Sequence, residues 1–191
     1  EGTLLKTVNR IPDLQLLSMG PAGALVRAGA LFKIMQVPTG TILTEFALPA
    51  EVKGSHFALS PDGDTLAIGG AVASSQAPDG LALLSIADGL LRVLDPGAGR
   101  YPGIVSLAFT PEGDVLVVEL AGREQVVSVS PLVKRYTGAI VLWNPQTGSQ
   151  VRAPVLGGRG ARLSFDGKLM VYWPAPGSGL RIENVRTGGL Y

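Results

Sequence analysis

GSHFALSPDGDTLAIGG, spanning Gly54–Gly70, decides the fold. An apolar phrase, His56–Ser60, runs into Pro61-Asp62-Gly63, and a second apolar phrase, Thr65–Gly69, leaves it. An Asp-Gly step supplies the positive-φ position of a tight turn, which glycine takes without steric cost. The stretch therefore predicts strand, turn, strand. The same phrase returns as VSLAFTPEGDVLVVEL at Val105–Leu120 and as ARLSFDGKLMVYW at Ala161–Trp173.

Working outward, two turn families alternate along the chain. The first is Pro21-Ala22-Gly23, Pro61-Asp62-Gly63, Pro111-Glu112-Gly113 and Asp166-Gly167. The second is Pro38-Thr39-Gly40, Ala87-Asp88-Gly89, Gln146-Thr147-Gly148 and Arg186-Thr187-Gly188. Units of about 40 residues with four short strands each are the mark of propeller blades. The expected fold is all-β: a β-propeller of four-stranded antiparallel blades, about four of them, in a single domain over residues 1–191. The blades fall at about 9–48, 54–95, 104–156 and 161–191, the last joined by 2–8. Labelled A (inner) to D (outer), the strands of the first blade are Leu14–Met19, Ala24–Ala28, Leu31–Val37 and Thr41–Leu48. Those of the second are His56–Ser60, Thr65–Gly69, Leu81–Ile86 and Leu90–Leu94. Those of the third are Val105–Thr110, Val115–Leu120, Ala139–Trp143 and Gln150–Leu156. The fourth has Ala161–Phe165, Lys168–Tyr172 and Leu180–Val185. Its missing D strand is expected from Thr3–Val8, which resembles Thr41–Phe46 and would pair with Leu180–Val185. No helix is expected, because turn residues break every run and the 3.6 period is absent.

Composition narrows the function classes. Nearly half the residues, 46%, are hydrophobic, yet Arg27, Glu51, Arg92 and Glu119 interrupt the apolar runs. No run approaches the roughly 18–20 residues of a membrane helix. A net charge of +1 gives no electrostatic footprint for nucleic acid or an anionic membrane. Without cysteine there is no disulfide, thiolate site or thiol nucleophile, and the compartment stays open. The sequence begins at Glu1 with no signal-peptide pattern, which reads as a processed chain or a piece of a longer one.

The Ser60–Gly63 turn, the apolar strand before it and the Leu142-Trp143-Asn144 step ahead of a Thr-Gly turn resemble WD40-repeat propellers. Trp143-Asn144 stands where that family has its Trp-Asp pair, and Gly54-Ser55-His56 stands near its Gly-His. The resemblance spans essentially the whole chain, but only the second blade has the His, only the third the Trp, and none the complete His–Ser/Thr–Trp–Asp set. Such domains usually have seven or eight blades. That favours a ring completed by more of the same polypeptide or by a second copy over a small closed ring. The function implied is a non-catalytic scaffold that docks other proteins within a larger complex, with no cofactor and no metal. A lactonase-like or quinoprotein-like enzyme, or a small-ligand binder using the central channel, is the alternative.

Individual residues add little chemistry. His56 is the lone histidine, and zinc or haem needs several ligands. Asp62 and Asp64 flank a turn glycine, as Glu112 and Asp114 do one blade later, which turn chemistry explains. Gly157-Gly158-Arg159-Gly160 lacks the strand–glycine–helix context of a phosphate loop, and Gly177-Ser178-Gly179 lacks the spacing of a nucleophile elbow. Lys134, Arg135, Arg152, Arg159 and Arg162 are expected to be ordinary surface charge. Two insertions between strands B and C, Ala71–Gly80 and Ala121–Gly138, emerge on one face. The second brings Arg123, Lys134 and Arg135 together with Val127, Leu132 and Tyr136, a mixture that suits a protein contact. These six are the candidate partner-binding residues, and Val126–Val129 is expected to be able to pair as a strand.

Overall fold

A computed structural model describes residues 14–37, 39–72, 80–95, 101–129, 132–174 and 178–191. These form a β-propeller of about four antiparallel blades. The first sheet is β1 (Leu14–Gly20), β2 (Gly23–Ala28), β3 (Leu31–Met35) and β4 (Ile42–Ala47), hydrogen-bonded in that order. The second is β5 (Val52–Leu59), β6 (Thr65–Val72), β7 (Gly80–Ser85) and β8 (Leu91–Leu94), again in order. The third takes β9 (Ile104–Phe109) and β10 (Leu116–Leu120), sets aside a separate hairpin of β11 (Glu124–Val129) and β12 (Leu132–Tyr136), and resumes with β13 (Ala139–Asn144). Its outer strand is broken into β14 (Ser149–Gln150) and β15 (Val155–Leu156), both on β13. The fourth is β16 (Arg159–Leu163), β17 (Leu169–Trp173) and β18 (Arg181–Asn184).

Four details depart from the expected strands. β3 ends at Met35 because Gln36 already closes the turn, its carbonyl accepting Gly40 N–H at 2.8 Å. β5 starts early, at Val52, and Ala71–Val72 of the first insertion continue β6 opposite Lys53 and Val52. The outer strand expected at Gln150–Leu156 splits because Pro154 brings no N–H to the ladder and Arg152 turns aside to Glu183 at 2.9 Å. The edge of β18 expected to take Thr3–Val8 holds the chain's own last residues. Leu190 bridges Glu183, and Tyr191 N–H donates to Ile182 O at 3.1 Å. Thr3–Val8 itself lies outside the described residues.

The core lies between sheets. Leu25, Phe32 and Ile34 of the first sheet meet Phe57, Leu59, Leu66 and Ile68 of the second, with Phe32 and Phe57 5.2 Å apart ring to ring. Leu81, Leu83 and Leu94 meet Leu116, Val118, Val141 and Trp143 of the third. Val115, Val117, Ile140 and Leu142 meet Ala161, Met170 and Tyr172 of the fourth. Middle strands are therefore covered on both sides, which is why β7 and β10 are buried along nearly their whole length and β10 is apolar except for Glu119. Each large aliphatic side chain buried this way contributes about 1.5–3 kcal/mol.

Candidate functional site

The second insertion folds as the β11–β12 hairpin. Glu124 pairs with Tyr136, Gln125 with Arg135 and Val126 with Lys134; after a bulge at Val127, Ser128 pairs with Val133 and Val129 with Leu132. Its base is tightly crossed. A Cβ on Gly122 would stand 2.0 Å from Gly138 N, so no side chain fits where the two strands leave the blade. Tyr136 Oη accepts Gly122 N–H at 3.1 Å, and the Arg159 guanidinium lies 5.5 Å over the Tyr136 ring. Thr137 Oγ1 accepts Arg123 N–H at 2.9 Å. Of the six candidate residues, Arg123 is exposed at the base, while Tyr136 is half-buried and braces the hairpin. Val127, Leu132, Lys134 and Arg135 sit on the hairpin strands, and their side chains lie outside what is described.

The opposite face carries both turn families. Each second-family turn closes on its glycine: Gly40, Gly89, Gly148 and Gly188 N–H donate to the carbonyls of Gln36, Ser85, Asn144 and Asn184 at 2.8–2.9 Å, all four at positive φ. Asn144 Oδ1 accepts the N–H groups of Gln146 and Thr147, and Asn184 Oδ1 those of Arg186 and Thr187. An arginine from the preceding blade then clamps the turn. Arg92 donates to Gln146 O and Thr147 O at 2.7 and 2.5 Å, and Arg152 to Val185 O at 3.1 Å.

First-family turns repeat a hydroxyl instead. Ser60, Thr110 and Ser164 each receive an N–H from the strand beyond the turn. Each donates to a turn carboxylate, Asp62, Asp114 and Asp166 respectively. The Ser60 hydroxyl and the Asp64 N–H hold the Asp62 carboxyl below its ordinary range. Burial opposes the charge on Asp114, but hydrogen bonds from Arg186 and Thr110, with the arginine's charge, bring its pKa below the ordinary value. Turn chemistry thus accounts for Asp62. Asp64 serves through its carbonyl, which accepts Ile86 N–H at 2.9 Å. His56 Nδ1 meets Ser55 Oγ at 3.0 Å.

Two buried carboxylates escaped the sequence. Glu119 is 4% exposed and accepts Gly160 N–H at 2.7 Å, Ala161 N–H at 3.3 Å and Ser106 Oγ–H at 3.1 Å. The amides at the end of the Gly157–Gly160 run therefore serve an internal carboxylate, where a phosphate would have had to sit. Glu183 is 6% exposed and takes Arg152 at 2.9 Å together with the Tyr172 hydroxyl. Burial, then the Glu183 contact, pushes the Tyr172 phenol above its ordinary value. The signal in the sequence for Glu119 was an acid inside an otherwise apolar strand, whereas Glu183 lies in a strand that is already polar. Arg152 and Arg159 are engaged as described, and Arg162 donates to Ala161 O at 2.7 Å. These three of the five residues expected to be ordinary surface charge thus make structural contacts, and the side chains of Lys134 and Arg135 lie outside what is described.

Where the first-family turns converge, an open cavity of about 450 Å³ is lined by Met19, Pro61, Leu107, Phe109, Pro111 and Phe165, among others. No group of three or more His, Cys, Asp or Glu side chains able to hold a metal occurs among the described residues. No described helix is long and apolar enough to cross a membrane. Trp143 is buried, and its Nε1 has no hydrogen-bond partner among the described residues. Of Gly177-Ser178-Gly179, Gly177 lies outside the described residues, and no helix follows Ser178.

No family model matches the sequence, and no curated protein matches it. Solved structures do. Hydrazine synthase of Kuenenia stuttgartiensis is similar over 100% of this chain and 50% of its own, at 21% identity and a TM-score of 0.55. TolB from Acinetobacter baumannii is similar over 88% of this chain and 40% of its own, at 16% identity and a TM-score of 0.51. The chain thus spans half or less of the length of these two proteins, and the likeness is one of fold: a β-propeller.

Proposed function

We propose that this chain is a non-catalytic interaction scaffold of the WD40-like kind, docking partner proteins within a larger assembly. The observation that supports this is the β11–β12 hairpin. It forms its own two-stranded sheet rather than joining the third blade, and a lone hairpin in water is marginal without something to pack against. Its base is fixed by Tyr136, Gly122 and Arg159, so its position relative to the blade is set before any partner arrives. Rigid scaffolds carry function on such insertions. Among the described residues Trp143 Nε1 has no hydrogen-bond partner, unlike the tryptophan of the WD40 hydrogen-bonded set, so the kinship proposed is one of architecture and role.

The test replaces residues 124–136 by a short glycine turn. The shortened chain should keep the parent's circular dichroism and melting temperature and lose the partners that the parent captures from extract of its own source. Undiminished capture of every partner defeats the proposal. An enzyme working through the central channel is the competing proposal. The cavity at the turn face offers it mainly proline, aliphatic and aromatic side chains. Copurifying metal or a cofactor absorbance would favour it.

A further inference from the structure

An open cavity of about 340 Å³ lies at the seam between the first and second sheets, lined by Arg27, Phe32, Leu48, Pro49, Lys53 and Phe57, among others. Both sheets build it. Arg27 of β2 and Phe32 of β3 form one side, Lys53 and Phe57 of β5 the other, and the connection from β4 to β5 closes a third. Its shape is fixed from within. The Phe32 ring lies 5.7 Å from that of Phe46 and 5.2 Å from that of Phe57, centroid to centroid. A Cβ on Gly54 would stand 2.7 Å from Phe57 Cε1, so a glycine there lets that ring lie flat as a floor. Val52 N–H donates to Pro49 O at 2.9 Å and ties down the connection.

The charges at this cavity are of one sign. Arg27 and Lys53 belong to its lining, and no acid does. Arg27 is held in place: its Nε–H donates to Gly29 O at 2.8 Å, and its guanidinium lies 5.7 Å over the Phe32 ring. The Nη donors of Arg27 and the Lys53 ammonium take no acceptor among the described residues. Lys33, Arg152, Lys168, Arg181 and Arg186, by contrast, each have a carboxylate within ion-pair distance. Two cations without counter-charge beside an apolar wall focus a positive potential on the space between them. A guanidinium oriented through its Nε and a ring keeps its remaining donors free to receive a carboxylate.

We propose that this seam cavity binds a carboxylate carried on an aromatic body. The carboxylate sits against Arg27 and Lys53, and the ring rests on Phe32, Phe57 and Leu48, where aromatic edges and faces pair well. The volume is at the small end of ligand pockets and suits one ring with a short acid arm. Inorganic phosphate would meet the two cations and leave the aromatic floor unused. The cavity belongs to the first and second blades and the hairpin to the third, so this proposal and the scaffold proposal can fail separately.

The experiment titrates the full chain with hydrocinnamate and follows backbone amide shifts by NMR, with hydrocinnamide as the neutral counterpart. A second pair, N-acetylglycyl-phenylalanine and its amide, carries the same groups at a peptide C-terminus. Shifts should centre on the amides of Val52, Lys53 and Gly54. Each acid should bind about tenfold more tightly than its amide, the worth of one hydrogen bond to a charged group. Arg27→Gln should weaken the acid about tenfold as well, and Lys53→Gln about threefold, as an exposed ion pair would. Both side chains are exposed, so both variants should fold, as circular dichroism will check. Binding of the amides should be unchanged in either variant. Saturable binding of either acid supports the site, and the one that binds tells a free acid from a chain end. No saturable shift with either acid overturns the proposal, as do shifts centred elsewhere or acid and amide binding alike. Phosphate binding at the same amides as tightly as the acid also overturns it, because the aromatic floor would then contribute nothing.

Discussion

Between the second and third sheets, Leu81, Leu83 and Leu94 meet Leu116, Val118 and Val141 with no charged side chain among them, and Gly69 leaves room for Ile104. Between the third and fourth sheets, Met170 and Tyr172 meet a comparable aliphatic wall. There, two buried carboxylates cross the gap as well. Glu119 of β10 takes the amides of Gly160 and Ala161, and Glu183 of β18 takes Arg152. The difference lies in the interior, since at the rim each seam has an arginine clamp, Arg92 in one and Arg152 in the other. Aliphatic faces are non-directional and accept small slides of one sheet over the other. A carboxylate that must meet two particular amides does not, because a buried acceptor left unpaired costs more than the bond contributes. Among the described residues the fourth sheet has three strands and a single bridge at its edge, so these directional contacts add to a short ladder.

The largest effects should come from the dry seam. Leu81→Ala or Leu116→Ala removes a side chain with no exposed surface and should cost about 3 kcal/mol. Chemical denaturation measures it, and the loss should not change with salt. A loss below half of that would mean the sheets close over the hole. Next comes the wired seam. Glu183→Ala leaves the Arg152 guanidinium and the Tyr172 hydroxyl without their acceptor and should cost about 2–3 kcal/mol. In a double-mutant cycle with Arg152→Ala, the coupling should be about 1–2 kcal/mol. Coupling near zero would make Glu183 a space-filler and erase the contrast between the seams.

This contrast also separates what was legible in the sequence from what was not. Turns and inner strands were legible because their causes are local. Asp62-Gly63 and Thr147-Gly148 carry their own positive-φ residues and caps, and the apolar phrases around them span one strand each. Pairing at Val126–Val129 was legible for the same reason, since its partner strand follows two residues later. Glu119 and Glu183 were not. Their meaning depends on amides and an arginine tens of residues away, which only the stacking of sheets brings near. Tyr136 looked like a surface aromatic because nothing in its neighbourhood announces that Arg159 will lie across its ring. The broken outer strand of the third blade was half legible: Pro154 is a local signal, but the pull of Glu183 on Arg152 is not.

The remaining predictions test the rim that both seams share. Gly167 sits at φ +66°, with Pro111 of the preceding turn where its Cβ would go. Gly167→Ala should therefore cost about 1–2 kcal/mol, through strain and the displaced contact. Gly89, also at positive φ but with open space around it, should lose only the strain. Equal losses at the two sites would show that turn-on-turn stacking adds nothing to the seams.

Smallest is the ion pair between Asp114 and Arg186, 2.7 Å apart and two-fifths exposed on each side. Asp114→Asn should cost under about 1 kcal/mol, and more in low salt than in high. The sign of its pH dependence follows from the depressed carboxyl. Its contribution is complete above the ordinary carboxylate value of 3.8 and is lost as pH falls through the lower folded value. Asp62, depressed by Ser60 in the second blade, titrates in the same direction but has no arginine across the seam. Acid should therefore weaken both turns, while added salt at neutral pH should weaken only the one at the third–fourth seam. Hydrogen exchange at the Gly113 and Gly63 amides reads the two turns separately. If salt loosens both equally, the pair between Asp114 and Arg186 does not couple its blades, and the third–fourth seam is held by its apolar wall and interior carboxylates without it.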